Sequence, residues 1–316
     1  MPRFSVVPAP VAMLLVCAAL LATAGEPGEF SGERAMGHLE AVCNLGPRPS
    51  GSEAMRRQRA LLAAHFRAAG GKVAGQAFRI RDRRSGEPVH IENLLIQWHP
   101  DRQERILLAA HYDTRPYPDR DPVDPWGRFI GANDGASGVA VLMELSRFMA
   151  GIDGPGVDFV LFDAEEYVFH PGDPYFLGST YFARQYAAAR RKGDGPFYRC
   201  GVLLDMVGDR DLEIWQERKS ISWPDTRPVV ESIWEVAARL GVREFVPRPR
   251  HEVDDDHVPL RNVGKIPTCD IIDFDYPAWH TTRDTPEQCS ARSLGTVGRV
   301  ILAWLRDQPR TSEPTP

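Results

Sequence analysis

Two adjacent glutamates, Glu165 and Glu166, follow the apolar run "VDFVLF" after only two residues. Carboxylates at the end of a buried strand can bind a metal ion or move protons, but burying them without a partner is costly. Carboxylate and imidazole groups together are typical zinc ligands, and three of them with one open position define a catalytic zinc site. Further acids and histidines stand at the ends of other apolar runs: His111, Asp134, Asp205 and His280.

Apolar strands alternate with amphipathic helices along the chain. Short continuous apolar runs, such as "RILLAAH" (105–111) and "CGVLLDMVG" (200–208), are typical of strands covered on both faces. Helical segments such as "GASGVAVLMELSRFMA" (135–150) separate them. This alternation predicts an α/β fold with a mostly parallel, mixed central sheet sandwiched by helices. Ligands bind beyond the carboxyl ends of the strands in such sheets, so we expect the acids and histidines to meet there.

Each of these residues also has a purely structural explanation. His111 could be a hydrogen-bonded histidine at a strand end, Asp134 could cap the following helix, and Glu165–Glu166 could lie in a solvated loop. Asp205 is harder to explain in this way, because it lies within the buried run "LLDMVG". These explanations would all have to hold at one sheet edge, so a shared site is the better hypothesis.

The bulk composition excludes several functional classes. The chain has 316 residues and a net charge of −5, with no long run of one sign, which argues against nucleic acid or an anionic membrane surface as a partner. No dinucleotide-binding or phosphate-binding glycine motif is present. No Pro/Ser-rich linker divides the sequence, so we expect one catalytic domain over residues 26–308 and a flexible tail over 309–316.

The N-terminus predicts export. Arg3 precedes a short apolar segment that ends in the small-residue pattern "ATA", as in a secretory signal peptide over residues 1–25. An uncleaved N-terminal anchor is the alternative, and no other contact with a membrane is expected. An exported protein could pair its cysteines, but their spacing does not say how and contains no Cys-x-x-Cys unit. The four cysteines after the signal segment are Cys43, Cys200, Cys269 and Cys289.

A set of motifs resembles metallopeptidase family 28, which contains the zinc aminopeptidases and the animal-type glutaminyl cyclases (glutaminyl-peptide cyclotransferases). The motifs follow the family order over nearly the whole predicted mature chain: "LGPRPSGS", "AAHYDT", "GANDGASGVAVLMELSR", "LFDAEEY", "FLGSTYFA", "LLDMVGD", "DDDHVPL" and "YPAWHTTRDT". The resemblance implies a zinc site made of Asp134, Glu166 and His280, with Glu165 as the general base. In the aminopeptidases a second zinc is also bound, and its additional ligands here would be His111 and Asp205.

Three features are more similar to the cyclases than to the aminopeptidases. They are the insert "YVFHPGDPYF" after the glutamate pair, the stretch Asp255-Asp256-His257-Val258-Pro259, and Trp279 beside His280. The resemblance therefore implies one zinc per chain and conversion of N-terminal glutamine of peptides or proteins to pyroglutamate, with release of ammonia. Asp205 and Asp255 would pair, share a proton and assist catalysis, and Trp279 would line the substrate.

Two departures from the cyclase pattern are visible. The cyclase tryptophan after the glutamate pair is absent, and Ala110 precedes His111 where the cyclases carry a cysteine of a disulfide. The alternatives are a di-zinc aminopeptidase, which hydrolyses N-terminal residues from peptides, and a non-catalytic peptide-binding relative on the same fold.

Overall fold

The computed structural model describes residues 28–309. The predicted signal segment, 1–25, lies outside this range, as does the predicted tail, 309–316, except for its first residue. Between residues 28 and 309, no helix is both long enough and apolar enough to cross a membrane.

Helices and strands alternate through the described range, with two short strands, two short helices and a 3₁₀ turn added late in the chain. In order, the elements are α1 (Gly32–Cys43), α2 (Glu53–Ala68), β1 (Lys72–Arg81), β2 (Pro88–Trp98), β3 (Glu104–His111), α3 (Ala136–Met149), β4 (Gly156–Phe162), α4 (Leu177–Arg191), β5 (Phe197–Asp205), β6 (Ile214–Gln216), α5 (Arg218–Ser222), α6 (Arg227–Arg239), β7 (Phe245–Pro249), α7 (His257–Asn262), β8 (Thr268–Ile272), a 3₁₀ helix (Pro286–Gln288) and α8 (Ala291–Arg306).

A six-stranded sheet lies at the centre, in the order β1-β2-β4-β3-β5-β8. Strands β4, β3, β5 and β8 are parallel to one another, whereas β2 is antiparallel to β4 and β1 is antiparallel to β2. Every residue of β4 is buried, as expected of a strand covered on both faces, while β1 is half exposed at the sheet edge. The predicted α/β class with a mostly parallel, mixed sheet is confirmed.

Helices cover both faces of the sheet. Helices α1, α3 and α8 pack together over a large core on one face, which also contains α2 and α6. Helices α4 and α7 pack together on the other face, over the smaller core that includes Leu107, Phe162 and Leu203. Helix α3 approaches β5 closely at Gly138, where a Cβ atom would lie 2.2 Å from the carbonyl oxygen of Leu204. Glycine is therefore required at this position to hold the start of α3 against the end of β5.

The sequence patterns located the long elements within a few residues but missed four short ones. Strands β6 and β7 and helices α5 and α7 contain between three and six residues each, too few to give a periodic signal. The cysteine pairing that the sequence left open is also resolved: Cys43, Cys200, Cys269 and Cys289 are all buried and unpaired. Burial raises the pKa of Cys43 to about 12, so this thiol is poorly reactive.

Candidate active site

Three of the parallel strands end at one rim of the sheet, and the predicted site residues lie there. His111 is the last residue of β3 and Asp205 is the last residue of β5, while Glu165 and Glu166 follow the end of β4. His280 lies in the loop after β8. Neighbouring parallel strands bring their carboxyl ends together, which is why residues far apart in sequence meet here.

Asp134 does not cap helix α3, so the structural explanation considered for it is excluded. The N-cap residue is Gly135, and no side chain caps the helix. The Asp134 carboxylate instead lies between the two histidines: Oδ1 is 3.2 Å from His111 Nε2, and Oδ2 is 3.5 Å from His280 Nε2. The backbone amide of Asp134 donates a hydrogen bond to Asp284 Oδ2, which fixes the loop.

The site residues form two groups that share Asp134. The first triad consists of Asp134, Glu166 and His280, and the second triad consists of His111, Asp134 and Asp205. In each triad one potential ligand atom per residue lies within 4.8 Å of the others, and all five residues are buried. The structure thus brings together every residue that the sequence predicted as a metal ligand.

The donor atoms suit zinc. Each triad offers two carboxylates and one imidazole, a ligand chemistry that zinc accepts at catalytic sites. Asp134 Oδ2, which faces His280 of the first triad, is buried and has no hydrogen-bond partner, so it remains free to coordinate a cation. Burial raises the pKa of Asp134 to about 6, and the neighbouring Glu166 charge acts in the same direction. A cation at the triad would relieve that repulsion.

Several groups outside the first triad orient its ligands. The backbone amide of Arg115 donates to Glu166 Oε2 at 3.1 Å, and the Arg115 guanidinium donates to Glu166 Oε1 at 3.2 Å. His280 Nε2 points to Glu166 Oε1 at 2.8 Å, whereas His280 Nδ1 lies 3.0 Å from Asp119 Oδ1. Such outer contacts fix the orientation of metal-binding side chains. Burial opposes ionisation of Glu166, but the charge and hydrogen bond of His280, together with the charges of Arg115 and His111, outweigh burial and lower the Glu166 pKa to about 2.

The second triad lacks comparable outer contacts. His111 Nε2 lies 3.2 Å from Asp205 Oδ1, which directs this nitrogen toward the triad. His111 Nδ1 is buried without a hydrogen-bond partner, and its nearest carboxylate oxygens, on Asp113 and Glu165, are both 3.8 Å away. A distance of 3.8 Å is too long for a hydrogen bond, so the imidazole orientation is held mainly by packing.

Asp113 clamps the backbone of the glutamate pair. Its Oδ1 accepts a hydrogen bond from the amide of Glu165 and its Oδ2 accepts one from the amide of Glu166, both at 3.1 Å. Ala164, the residue before the pair, has a left-handed backbone with φ of 59°. Burial raises the pKa of Glu165 well above its ordinary value, against the attraction of His111. Glu165 is therefore a buried acid that keeps its proton to a higher pH than an ordinary glutamate does.

Asp255 lies near Asp205, as predicted, but the expected hydrogen bond between them is absent from the described residues. Asp255 Oδ1 accepts a hydrogen bond from the amide of Asp256 at 2.5 Å, whereas its buried Oδ2 has no partner. Burial raises the pKa of Asp255, and the charge of Asp205 raises it further. The two carboxyl groups therefore interact through charge rather than through a shared hydrogen bond, although Asp255 Oδ2 has no other partner.

The site opens into a cavity of about 420 Å³. Trp279 forms part of its wall, with its ring 4.4 Å from that of His280 and 4.7 Å from that of Phe274. The end of the insert after the glutamate pair forms another part of the wall, through Tyr175 and Phe176. The cavity is also lined by the catalytic candidates Glu165, Asp205 and Asp255 and by the whole first triad.

The sequence analysis missed the residues that hold the ligands in place. Arg115 and Asp119 lie in the loop after β3, and Asp284 lies after His280. Asp113, which holds the glutamate pair, follows the end of β3. The one available signal was the recurrence of charged residues beside the histidine motifs, which does not reveal which atoms they contact.

The family model of peptidase family M28 matches residues 93–305. A solved glutaminyl cyclase of Fimbriiglobus ruber is 37% identical and superposes with a TM-score of 0.84, covering 89% of this chain and 96% of its own. A solved leucine aminopeptidase precursor of Bacteroides thetaiotaomicron is 28% identical, with a TM-score of 0.82 over 89% of this chain and 98% of its own.

Among curated proteins, the glutaminyl-peptide cyclotransferase of Gloydius blomhoffii is 23% identical over 241 residues. That alignment covers 67% of this chain and 64% of the relative, so the chain spans less than two thirds of that curated protein. The family match covers well over half of the chain, and the cyclase and aminopeptidase structures share its fold. The chain therefore belongs to peptidase family M28, in the group that includes the glutaminyl cyclases of the zinc aminopeptidase fold.

Proposed function

We propose that this protein is a zinc-dependent glutaminyl-peptide cyclotransferase, which converts the N-terminal glutamine of peptides or proteins to pyroglutamate and releases ammonia. The observation that carries the proposal is the placement of a buried, proton-holding Glu165 beside the first triad in a cavity of about 420 Å³. The 37% identity to the glutaminyl cyclase of Fimbriiglobus ruber supports the same reaction.

Zinc would be held by Asp134, Glu166 and His280, and when bound it supplies Lewis acidity toward a carbonyl oxygen. The chain's own residues account for orientation and proton transfer. The cavity accepts the N-terminal residue, with the side-chain amide of glutamine directed toward the first triad and the α-amine toward Glu165. Trp279 limits the space available to the substrate side chain and holds it in a folded conformation. Because ring closure is intramolecular, orientation removes much of the barrier.

Glu165 acts as a general base and then as a general acid. It accepts a proton from the α-amine as the nitrogen attacks the side-chain amide carbon, and it returns the proton to the departing ammonia. The C–N bond to the leaving amide nitrogen breaks and the new lactam C–N bond forms, so no water is consumed. Asp205 and Asp255 face the same cavity and would stabilise the departing amine, with Asp255 holding a proton because of its raised pKa.

The second candidate is a di-zinc aminopeptidase. One specific observation favours it: the second triad is intact, with potential ligand atoms within 4.8 Å of one another. In that case Glu165 would take a proton from a water molecule rather than from an amine, and the peptide bond would be hydrolysed. A non-catalytic peptide-binding role is less well supported, because the site keeps both the complete first triad and the buried base.

Parallel assays separate these candidates. We expect ammonia release from Gln-peptides, no hydrolysis of Leu-anilides, and close to one zinc per chain by elemental analysis. Hydrolysis of Leu-anilides with two zincs per chain would establish the aminopeptidase instead. The Glu165→Gln variant is the control for contaminating activity, and peptide binding without turnover of either substrate would support the binding role.

We also propose that the chain is exported through its N-terminal segment to the periplasm or the cell exterior. N-terminal sequencing of the protein isolated from its native host would test this proposal. A mature N-terminus close to residue 26 is expected, whereas an intact Met1 in the membrane fraction would indicate an uncleaved anchor.

A further inference from the structure

Exposed apolar side chains cluster beside the mouth of the cavity. Val123 is 89% exposed, Trp126 is 70% exposed and Tyr175 is 39% exposed, although large apolar side chains are usually covered. All three belong to the two loops that flank the mouth, the loop after β3 and the insert after the glutamate pair. The other exposed large apolar residues of the described range, Phe197, Leu240 and Val263, lie in separate elements.

Four aromatic rings from these loops form a continuous row, which we call the aromatic strip. The Tyr117 ring lies 5.1 Å from the ring of Trp126 and 6.2 Å from that of Phe169, and the Phe169 ring lies 5.0 Å from that of Tyr167. All three contacts are edge-to-face, the arrangement in which aromatic rings attract one another. The strip therefore joins two loops that are more than 40 residues apart in sequence.

The hairpin between β1 and β2 contacts the strip and holds it in place. Arg84 places its guanidinium 3.3 Å above the Phe169 ring and pairs with Asp82. Tyr167 donates a hydrogen bond from its hydroxyl to Asp82 Oδ2 at 3.0 Å. These contacts fix the half-buried rings of Tyr167 and Phe169, so the insert side of the strip is a preorganised surface rather than a mobile loop.

The loop that carries Trp126 is fixed to the loop that carries His280. Asp121 accepts hydrogen bonds from the amides of Val123 and Asp124 at 2.9 Å, and another from the amide of Thr282 at 2.8 Å. Trp126 is thus exposed on a constrained loop that is also tied to the candidate metal site. An exposed tryptophan on a constrained loop buries little apolar area and contributes little to the stability of the fold, so its exposure indicates contact with a ligand.

The strip and the cavity lining meet in the loop after β3, where Tyr117 lies between the cavity-lining residues Arg115 and Asp119. The Arg115 guanidinium donates to the hydroxyl of Tyr175 at 3.1 Å, and both residues line the cavity. Tyr117, in the strip, is two residues further along the chain. The cavity is also lined by two exposed carboxylates, Glu252 and Asp254. An extended peptide that leaves the cavity along the loop after β3 would therefore meet the aromatic strip.

We propose that the aromatic strip binds the part of a peptide substrate that follows its N-terminal residue, and that it favours peptides with aromatic or large aliphatic residues a few positions from the N-terminus. This proposal rests on the proposed function, because it takes the peptide N-terminus to be the group inside the cavity. The cavity accommodates about one residue, and the strip supplies the contacts that would distinguish a long peptide from a short one.

The test compares three substrates: a Gln-Ala dipeptide and two hexapeptides that begin with Gln-Ala and carry either Phe or Ser at the next two positions. We expect the wild type to have a higher kcat/KM for the Phe hexapeptide than for the dipeptide. The Trp126→Ala variant should lower this kcat/KM ratio by about three- to tenfold, mainly through a higher KM for the Phe hexapeptide. Phe197→Ala is the matched control, since it also removes an exposed aromatic ring but lies at the start of β5, away from the site.

Calorimetric binding of the same hexapeptides to Glu165→Gln, with and without Trp126→Ala, gives a readout that does not depend on turnover. If no Gln-peptide is cyclised, the proposed function fails. Weaker binding of the Phe hexapeptide to the variant without Trp126 would still support peptide binding at the strip. An equal effect of Trp126→Ala on the Phe and Ser hexapeptides would overturn the inference. So would unchanged peptide binding together with loss of a dimer in sedimentation, since the strip would then be a contact between copies of the chain.

Discussion

The two candidate metal triads share Asp134 but differ in how their remaining ligands are held. In the first triad, Glu166 is held by Arg115 and His280 lies against Asp119. In the second triad, the carboxylate oxygens nearest to His111 Nδ1 are 3.8 Å away, whereas an Asp119 oxygen lies 3.0 Å from His280 Nδ1; neither nitrogen forms a hydrogen bond of good geometry. Outer contacts that fix ligand orientation commonly change metal affinity by 10- to 100-fold, so we expect zinc at the first triad to bind much more tightly. Two sites with the same ligand chemistry can thus differ in occupancy because of their surroundings.

The largest expected effect follows from removing a ligand of the first triad. Glu166→Gln should lose the zinc and all measurable turnover, because a carboxamide replaces an anionic ligand that Arg115 and His280 hold in place. Asp205→Asn is the matched variant at the second triad, and it should keep close to one zinc per chain. Elemental analysis after dialysis checks both, and loss of zinc from Asp205→Asn with retention in Glu166→Gln would reverse the comparison.

The next largest effect concerns the base, which lies between the two triads. Glu165→Gln should reduce turnover of Gln-peptides by about 10²- to 10⁴-fold, because the carboxamide cannot accept a proton from the α-amine. The zinc content should stay as in the wild type, since Glu165 belongs to neither triad. Steady-state kinetics and metal analysis on one preparation check the prediction, and near-normal turnover would remove Glu165 from this role.

A smaller effect tests the outer contacts directly. Arg115→Gln removes the guanidinium that donates to Glu166 and should weaken zinc affinity by about 10- to 100-fold. Arg120→Gln is the matched control, because Arg120 lines the same cavity and stacks on Trp279 without a salt bridge to a triad residue. Competition with a chromophoric chelator measures both affinities. Equal affinity of the two variants would mean that orientation by Arg115 is unimportant.

The pH dependence gives the smallest and most specific effect. Burial raises the pKa of Glu165, so its carboxylate becomes protonated at a higher pH than that of an ordinary glutamate. Since only the carboxylate can accept a proton, kcat/KM should fall about tenfold per pH unit below that pKa, with a midpoint above about 4.3. Bound zinc would lower the midpoint of this pH profile, but kcat/KM would still fall as the pH decreases.

Asp255 is another buried acid of the cavity with a raised pKa and, unlike Asp134, it belongs to neither triad, so Asp255→Asn is the control for the pH profile. An acidic limb that persists in this variant assigns the titration to Glu165. A limb that disappears assigns it to Asp255, and a flat profile down to about pH 4 would contradict the prediction.

The sequence predicted the location of the site better than its surroundings. The strands β3, β4 and β5 are continuous apolar runs, so their ends could be identified, and parallel packing then placed His111, Glu165 and Asp205 together. The contacts of Arg115 and Asp119 could not be predicted in the same way. They lie in a loop without periodicity, and their partners are set by the tertiary fold rather than by spacing.

For Asp205 and Asp255 as well, the sequence predicted proximity but not the contacts of individual atoms. The sequence indicated that the two carboxyl groups would be neighbours, which is consistent with the effect of the Asp205 charge on Asp255. It did not indicate that one oxygen of Asp255 is occupied by the amide of Asp256, because this contact depends on the backbone turn before α7. The signal segment and most of the tail lie outside the described residues, so those predictions stand as predictions.

The clamp at Asp113 has an evolutionary consequence. Because one carboxylate holds the amides of both Glu165 and Glu166, the proposed base and the proposed metal ligand are fixed relative to each other by contacts that do not involve Asp205. A lineage could then gain or lose a cation at Asp205 without rebuilding the proton-transfer apparatus. A solved glutaminyl cyclase and a solved leucine aminopeptidase precursor superpose on this chain almost equally well, with TM-scores of 0.84 and 0.82. This is expected if the two activities diverged on one unchanged scaffold.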